Sequence, residues 1–138
     1  MRMIRRAIAA LAVGAFALAL AVSGVSAKST ADAWETSDIM KKLNNKTKGA
    51  IAKATAAVKD GKWEDAAKMS ETLKHGEDLA KNKQNKGDKE SWDKLTKAYG
   101  ENTKAMVSAI DKKDKDAFEK AAKGVGPASC KACHDAHK

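Results

Sequence analysis

The chain has 138 residues, 33% of them charged and 4% aromatic, with a formal net charge of +9. That length suits one compact domain rather than two. Its lysines are interleaved with Asp and Glu, and no basic stripe with interleaved aromatics is present, so nucleic acid is not an expected partner.

Residues 1–27 read as a secretory signal. The basic stretch Met1-Arg2-Met3-Ile4-Arg5-Arg6 precedes an apolar run from Ala7 to Val22, and Val25-Ser26-Ala27 supplies the small residues of a cleavage site. The run is short and Ala-rich for a membrane anchor, although h-regions and short spans overlap in length, which leaves an uncleaved anchor as the alternative. The expected mature chain begins at Lys28, is exported, and has no stable membrane insertion after cleavage. All three arginines lie in the signal, so residues 28–138 carry 24 lysines against 18 acidic side chains, a net +6. Such a surface favours solubility and acidic partners.

Abundant Ala, Lys, Glu and Leu with a single proline predict an all-α domain. A first helix is expected over about 32–58, with Asp32 and Glu35 spaced like a capping box and Met40, Leu43, Thr47, Ile51, Ala54 and Val58 on one face. Asp60-Gly61 ends it. A second is expected over about 62–80, with Trp63, Ala66, Met69, Leu73, Gly76 and Ala80 at helical spacing. Residues 82–88 form a polar connector. The third has the clearest pattern: Trp92, Leu95, Tyr99, Thr103, Met106 and Ile110 follow alternating three- and four-residue steps. The last begins near Asp116, turns Phe118, Ala121, Ala122 and Val125 inward, and is interrupted by Gly124, Gly126 and Pro127 before Ala128. Four helices with short connectors pack most simply as an up-down-up-down four-helix bundle. In that topology the start of the first helix lies beside the end of the last.

The chain's two cysteines stand in Cys130-Lys131-Ala132-Cys133-His134, the spacing of c-type haem attachment. On a helix these three side chains share a face, so two thiols can take the two vinyl groups while the imidazole meets the iron. Other chemistries use the same atoms. A redox disulfide usually sits at a strand-to-helix junction, and no strand is legible. A zinc site of Cys130, Cys133, His134 and His137 would spread its ligands over about 10 Å of helix rise, too far for one tetrahedral ion. Two unmodified thiols suit an oxidising compartment poorly. The favoured reading is one covalent haem c, with His134 on the iron.

The motif near the C-terminus of a four-helix pattern resembles the class II c-type cytochromes, the group of cytochrome c′ and its low-spin relatives. The resemblance covers nearly all of residues 28–138. Its most specific stretch is Gly126-Pro127-Ala128-Ser129-Cys130-Lys131-Ala132-Cys133-His134-Asp135-Ala136, with a second match at Ile39-Met40-Lys41-Lys42-Leu43 and a weaker one at Ser91-Trp92. It implies a left-turning four-helix bundle in the periplasm, one haem between the helices, and His134 as fifth ligand. The chain departs from the pattern at His137 and Lys138, where members usually carry an aromatic residue and an arginine, and at Thr36, where they carry an arginine.

The sixth ligand position separates two functions. Met40 lies about 12 Å along the first helix and His134 about 6 Å from the end of the last, so both fall at one end of the bundle. Met69 and Met106 fall toward the other end and read as core. Met40 occupies the position where low-spin class II relatives have their axial methionine, and where cytochromes c′ have a leucine or a non-bonding methionine. His75 could complete a bis-histidine site but sits off the apolar stripe, and His137 is too near His134 to reach the opposite face. With Met40 as ligand, the chain is expected to carry electrons between redox partner proteins of acidic character. With an open position, it binds a diatomic such as nitric oxide or carbon monoxide. No acid–base pair of an enzyme is legible, and Lys41 and Lys42 do not supply one. The resemblance also implies a homodimer through the first two helices, for which the Ala- and Lys-rich helices show no clear apolar patch.

Overall fold

The computed structural model describes residues 33–84 and 86–137, and every regular element among them is helical. The expected signal, the Lys28 start, Asp32 and Lys138 lie outside the described residues. Among the described residues no helix is long and apolar enough to cross a membrane.

The helix expected over 32–58 is two helices, α1 (Thr36–Leu43) and α2 (Ala50–Lys59). The break belongs to Asn45, whose Oδ1 accepts the N–H groups of Thr47 at 3.1 Å and Lys48 at 2.9 Å. This Asx turn offers the backbone an alternative to the helical ladder. Thr47 is therefore exposed in the turn instead of facing the core. Gly49 closes it, where a Cβ would lie 2.6 Å from the Asn45 carbonyl oxygen.

The stretch expected as one helix over 62–80 is α3 (Trp63–Ala67), α4 (Ser70–Lys74) and a 3-10 helix (His75–Lys81). The tightening decides which side chains point inward. A 3-10 helix repeats every three residues, so Leu73, Gly76 and Leu79 stack along one buried edge. Ala80, inward by α-helical spacing, is exposed.

The third expected helix is α5 (Lys89–Lys112), capped by Asp88, which accepts the Ser91 N–H at 2.8 Å. Trp92, Tyr99, Thr103, Met106 and Ile110 are buried as the spacing predicts, and Leu95 is half-buried. Two threonines are fully buried and remain satisfied, Thr96 donating to the Trp92 carbonyl at 2.8 Å and Thr103 to that of Gly100 at 2.9 Å.

The last helix begins at Asp114 rather than Asp116, because Asp114 Oδ1 takes the Ala117 N–H at 2.9 Å. α6 (Lys115–Gly124) gives way at Val125 and Gly126 to α7 (Pro127–His137). Pro127 stands at the first helical position, where its missing N–H costs no internal hydrogen bond.

α5 is the hub, packing on the 3-10 helix, α3, α4, α6 and α7, while α1 packs on the 3-10 helix, α2 and α4. The core gathers Ile39, Leu43, Val58, Leu73, Met106 and Phe118, and Met69 packs at its margin. The closest approach is backbone against side chain: a Cβ on Gly76 would lie 2.6 Å from Cγ2 and 2.7 Å from Cβ of Thr103, and one on Gly100 would lie 3.0 Å from Cα of Glu77. Thr103 is fully buried and its hydroxyl is engaged, so it cannot yield. Gly76→Ala is expected to destabilise the protein by about 1–3 kcal/mol through overpacking, seen as a lower urea midpoint at unchanged slope.

Candidate functional site

α7 presents Cys130, Cys133 and His134 to a cavity whose other walls come from four elements: Met40 and Asn44 from α1 and its cap, Leu79 from the 3-10 helix, Leu95, Ala98 and Tyr99 from α5, and Gly124 from the end of α6. The empty space, counted out to its mouth, is about 510 Å³. A second lobe shares Met40, Leu79, Cys133 and His134 and adds Thr36, Trp92 and His137. Met40 and His134, 94 residues apart in the chain, thus face the same space.

The two cysteines are free thiols, each half-buried, one turn apart on α7. Burial pushes the Cys133 thiol up, and neighbouring Cys130 pushes it the same way. That is opposite to the lowered thiol of a redox-active CxxC pair. His137 lines the second lobe but has both ring nitrogens engaged elsewhere. Its ring is buried, Nδ1 lies 2.8 Å from the Lys86 carbonyl oxygen, Nε2 lies 3.1 Å from the Ser91 hydroxyl, and the ring sits edge-on to Trp92. Because a carbonyl only accepts, Nδ1 donates there. With both nitrogens engaged, His137 is not placed to join Cys130, Cys133 and His134 on one ion; it is a buried wall of the second lobe.

Met40 is half-buried at the cavity wall, and its Sδ accepts from Asn44 Nδ2 at 3.4 Å. The same amide nitrogen donates to Tyr99 Oη at 2.8 Å. Burial drives the Tyr99 phenol well above its ordinary value, with the Asn44 hydrogen bond pulling weakly the other way, so the hydroxyl keeps its proton.

His75 lines neither lobe. Its ring stacks on Trp34, centroids 3.9 Å apart and planes 3° from parallel, and its Nδ1 lies 2.7 Å from Asp78 Oδ2. Asp78 is the hub of this outer wall: it also accepts the Trp34 N–H at 3.2 Å and Lys81 Nζ at 2.7 Å. Asn82 Nδ2 adds a bond to the Trp34 carbonyl at 2.9 Å, and Lys42 Nζ lies 4.0 Å from the Trp34 ring centroid. These contacts tie the entry to α1, and hence Met40, to the 3-10 helix that carries Leu79.

The donor set fits a covalent haem. Two free thiols, an imidazole and a thioether converge on a space walled largely by Leu79, Leu95, Ala98 and the ring of Tyr99. Leu95 and Tyr99 were legible from the third helix as one stripe four residues apart, whereas nothing in the sequence singled out Asn44. Leu79 and Asp78 carried no comparable signal, since they face inward only through the 3-10 winding. Comparison with family models, curated proteins and solved structures finds no match.

Burial raises the Asp78 carboxyl, but hydrogen bonds from Lys81, His75 and the Trp34 N–H outweigh that and hold it below the ordinary carboxylate value. A depressed folded value means the stabilisation is complete above the unfolded value, about pH 4, and is lost as pH falls through the folded one. Asp78→Asn should therefore lower stability at neutral pH and flatten the loss on acidification, measured by urea unfolding between about pH 7 and pH 3.

Proposed function

We propose that this chain is an exported, periplasmic c-type cytochrome of the class II kind, carrying single electrons between redox proteins through one covalent haem. Residues 1–27 are its cleaved signal, and residues 28–138 form an up-down-up-down four-helix bundle. The pairing of α5 with elements on both sides of it in the chain, and the short connectors, support that arrangement. One observation carries the functional reading: Cys130, Cys133 and His134 line the same cavity as Met40.

When bound, the haem supplies a one-electron Fe(III)/Fe(II) couple. Cys130 and Cys133 would hold it through thioether links, and His134 and Met40 would hold its iron. A thioether is a weak, polarizable donor and favours the reduced state. The buried Leu79 and the half-buried Leu95 would keep the local dielectric low, which also favours the form with less charge. The net positive, lysine-rich surface steers acidic partners toward the molecule. The chain is read as a carrier and not an enzyme.

A second reading, a five-coordinate protein binding nitric oxide or carbon monoxide, draws on the same apolar walls. The optical spectrum separates the two. Matured in a host that builds thioether links, the protein is expected to be coloured, heavier by one haem, low-spin and resistant to carbon monoxide. Met40→Ala should convert it to a high-spin form that takes up carbon monoxide readily, and the double variant Cys130→Ala, Cys133→Ala should lose covalent attachment. A colourless product without added mass overturns the proposal, and a wild type that is already high-spin transfers it to the second reading.

A further inference from the structure

The contact between Asn44 and the Met40 sulfur is more than a helix cap. Asn44 ends α1, its backbone N–H donating to the Met40 carbonyl at 3.2 Å, and that bond alone satisfies the cap. The side chain goes further, placing Nδ2 3.4 Å from Met40 Sδ and 2.8 Å from Tyr99 Oη. A thioether can only accept, so the amide nitrogen and not its oxygen must face the sulfur. The NH₂ group has two hydrogens: one serves the sulfur, the other the phenol oxygen. Rotating the amide would forfeit the bond to the sulfur. Tyr99 in turn is rooted in the middle of α5 and is only 8% exposed. The chain from α5 through Tyr99 and Asn44 to Met40 therefore fixes a side chain that is otherwise among the most adaptable of all, with three rotatable bonds.

Resting on the proposed His134 and Met40 ligation, we infer that Asn44, braced by Tyr99, is a positioning residue that aims the Met40 thioether and sets its electron donation to the iron. The two roles of the sulfur are compatible, because a thioether has two lone pairs, one for a metal and one for the amide N–H. A hydrogen bond on the second pair withdraws electron density from the sulfur. Ferric iron needs that density more than ferrous iron does, so the N–H favours the reduced state. It also opposes displacement, since Met40 must leave Asn44 when it swings off the metal.

The test compares haem-loaded wild type, Asn44→Leu and Tyr99→Phe by redox potentiometry and carbon monoxide titration. Leu matches Asn in size and removes the donor, while Phe keeps the ring and removes the brace. Asn44→Leu is expected to lower the potential and to raise carbon monoxide affinity about fivefold, the worth of one net hydrogen bond. Tyr99→Phe should shift both in the same direction by less, and gives an independent reading should Asn44→Leu fold poorly. A merely structural role would lower unfolding stability and leave the potential where it was. A wild type that resists carbon monoxide, with both variants matching it in potential and affinity, overturns the inference while leaving Met40 ligation intact. A wild type that takes up carbon monoxide as readily as Met40→Ala overturns the ligation reading and this inference with it.

Discussion

The contact between the 3-10 helix and α5 governs the geometry of the whole cavity end. Gly76 lies on Thr103 and Gly100 on Glu77 with no room for an intervening Cβ, which draws the two elements close together. At that distance the segment tightens to three residues per turn, and the tightening turns Leu79 inward as a cavity wall and Asp78 toward the entry to α1. An α-helical course would have turned Ala80 inward instead and left the Asp78 carboxylate without Trp34 to hold.

The two ends of the molecule are held by different physics. Away from the cavity, Val58, Met106, Ile110 and Phe118 form an apolar interior that needs no polar support. Around the cavity, where apolar contact is interrupted, polar anchors take over. Asp78 gathers Trp34, His75 and Lys81 on one side, and His137 bonds Lys86 and Ser91 on the other. Gly87 is part of the second anchor: it has a φ of +82°, and a Cβ there would lie 2.7 Å from His137 Nδ1. Each anchor joins the end of a helix that contributes a cavity residue to a connector remote in the chain, and each centres on one buried side chain, Asp78 or His137, whose polar atoms are costly to leave unpaired.

This division suits the proposed role. A one-electron carrier benefits from walls that do not rearrange between oxidation states, and the anchors sit at the walls. Its surface follows other rules. The lysine–carboxylate pairs Lys68–Asp65 and Lys131–Asp135 join exposed side chains and add little to stability. Their companions leave a positive balance whose field acts on partners at a distance and weakens with salt.

The amino-acid sequence by itself determined the all-helical class, the stripe along α5, the break at Pro127 and the attachment motif at Cys130, Cys133 and His134, because each rests on chemistry or spacing within a few residues. It also marked Met40, through its place near the start of the first expected helix, at the end of the expected bundle that holds His134. Only the tertiary structure decided that 75–81 winds as a 3-10 helix and that His75 and His137 serve as polar anchors; the break at Asn45 is a local Asx turn that the apolar spacing hid. The winding and the anchors depend on partners as far as 51 residues away or on the room a neighbouring helix leaves. The bracing of the Met40 sulfur by Asn44 and Tyr99 belongs to the same group: its two hydrogen bonds span four and 55 residues, and local spacing carries no information about the longer one.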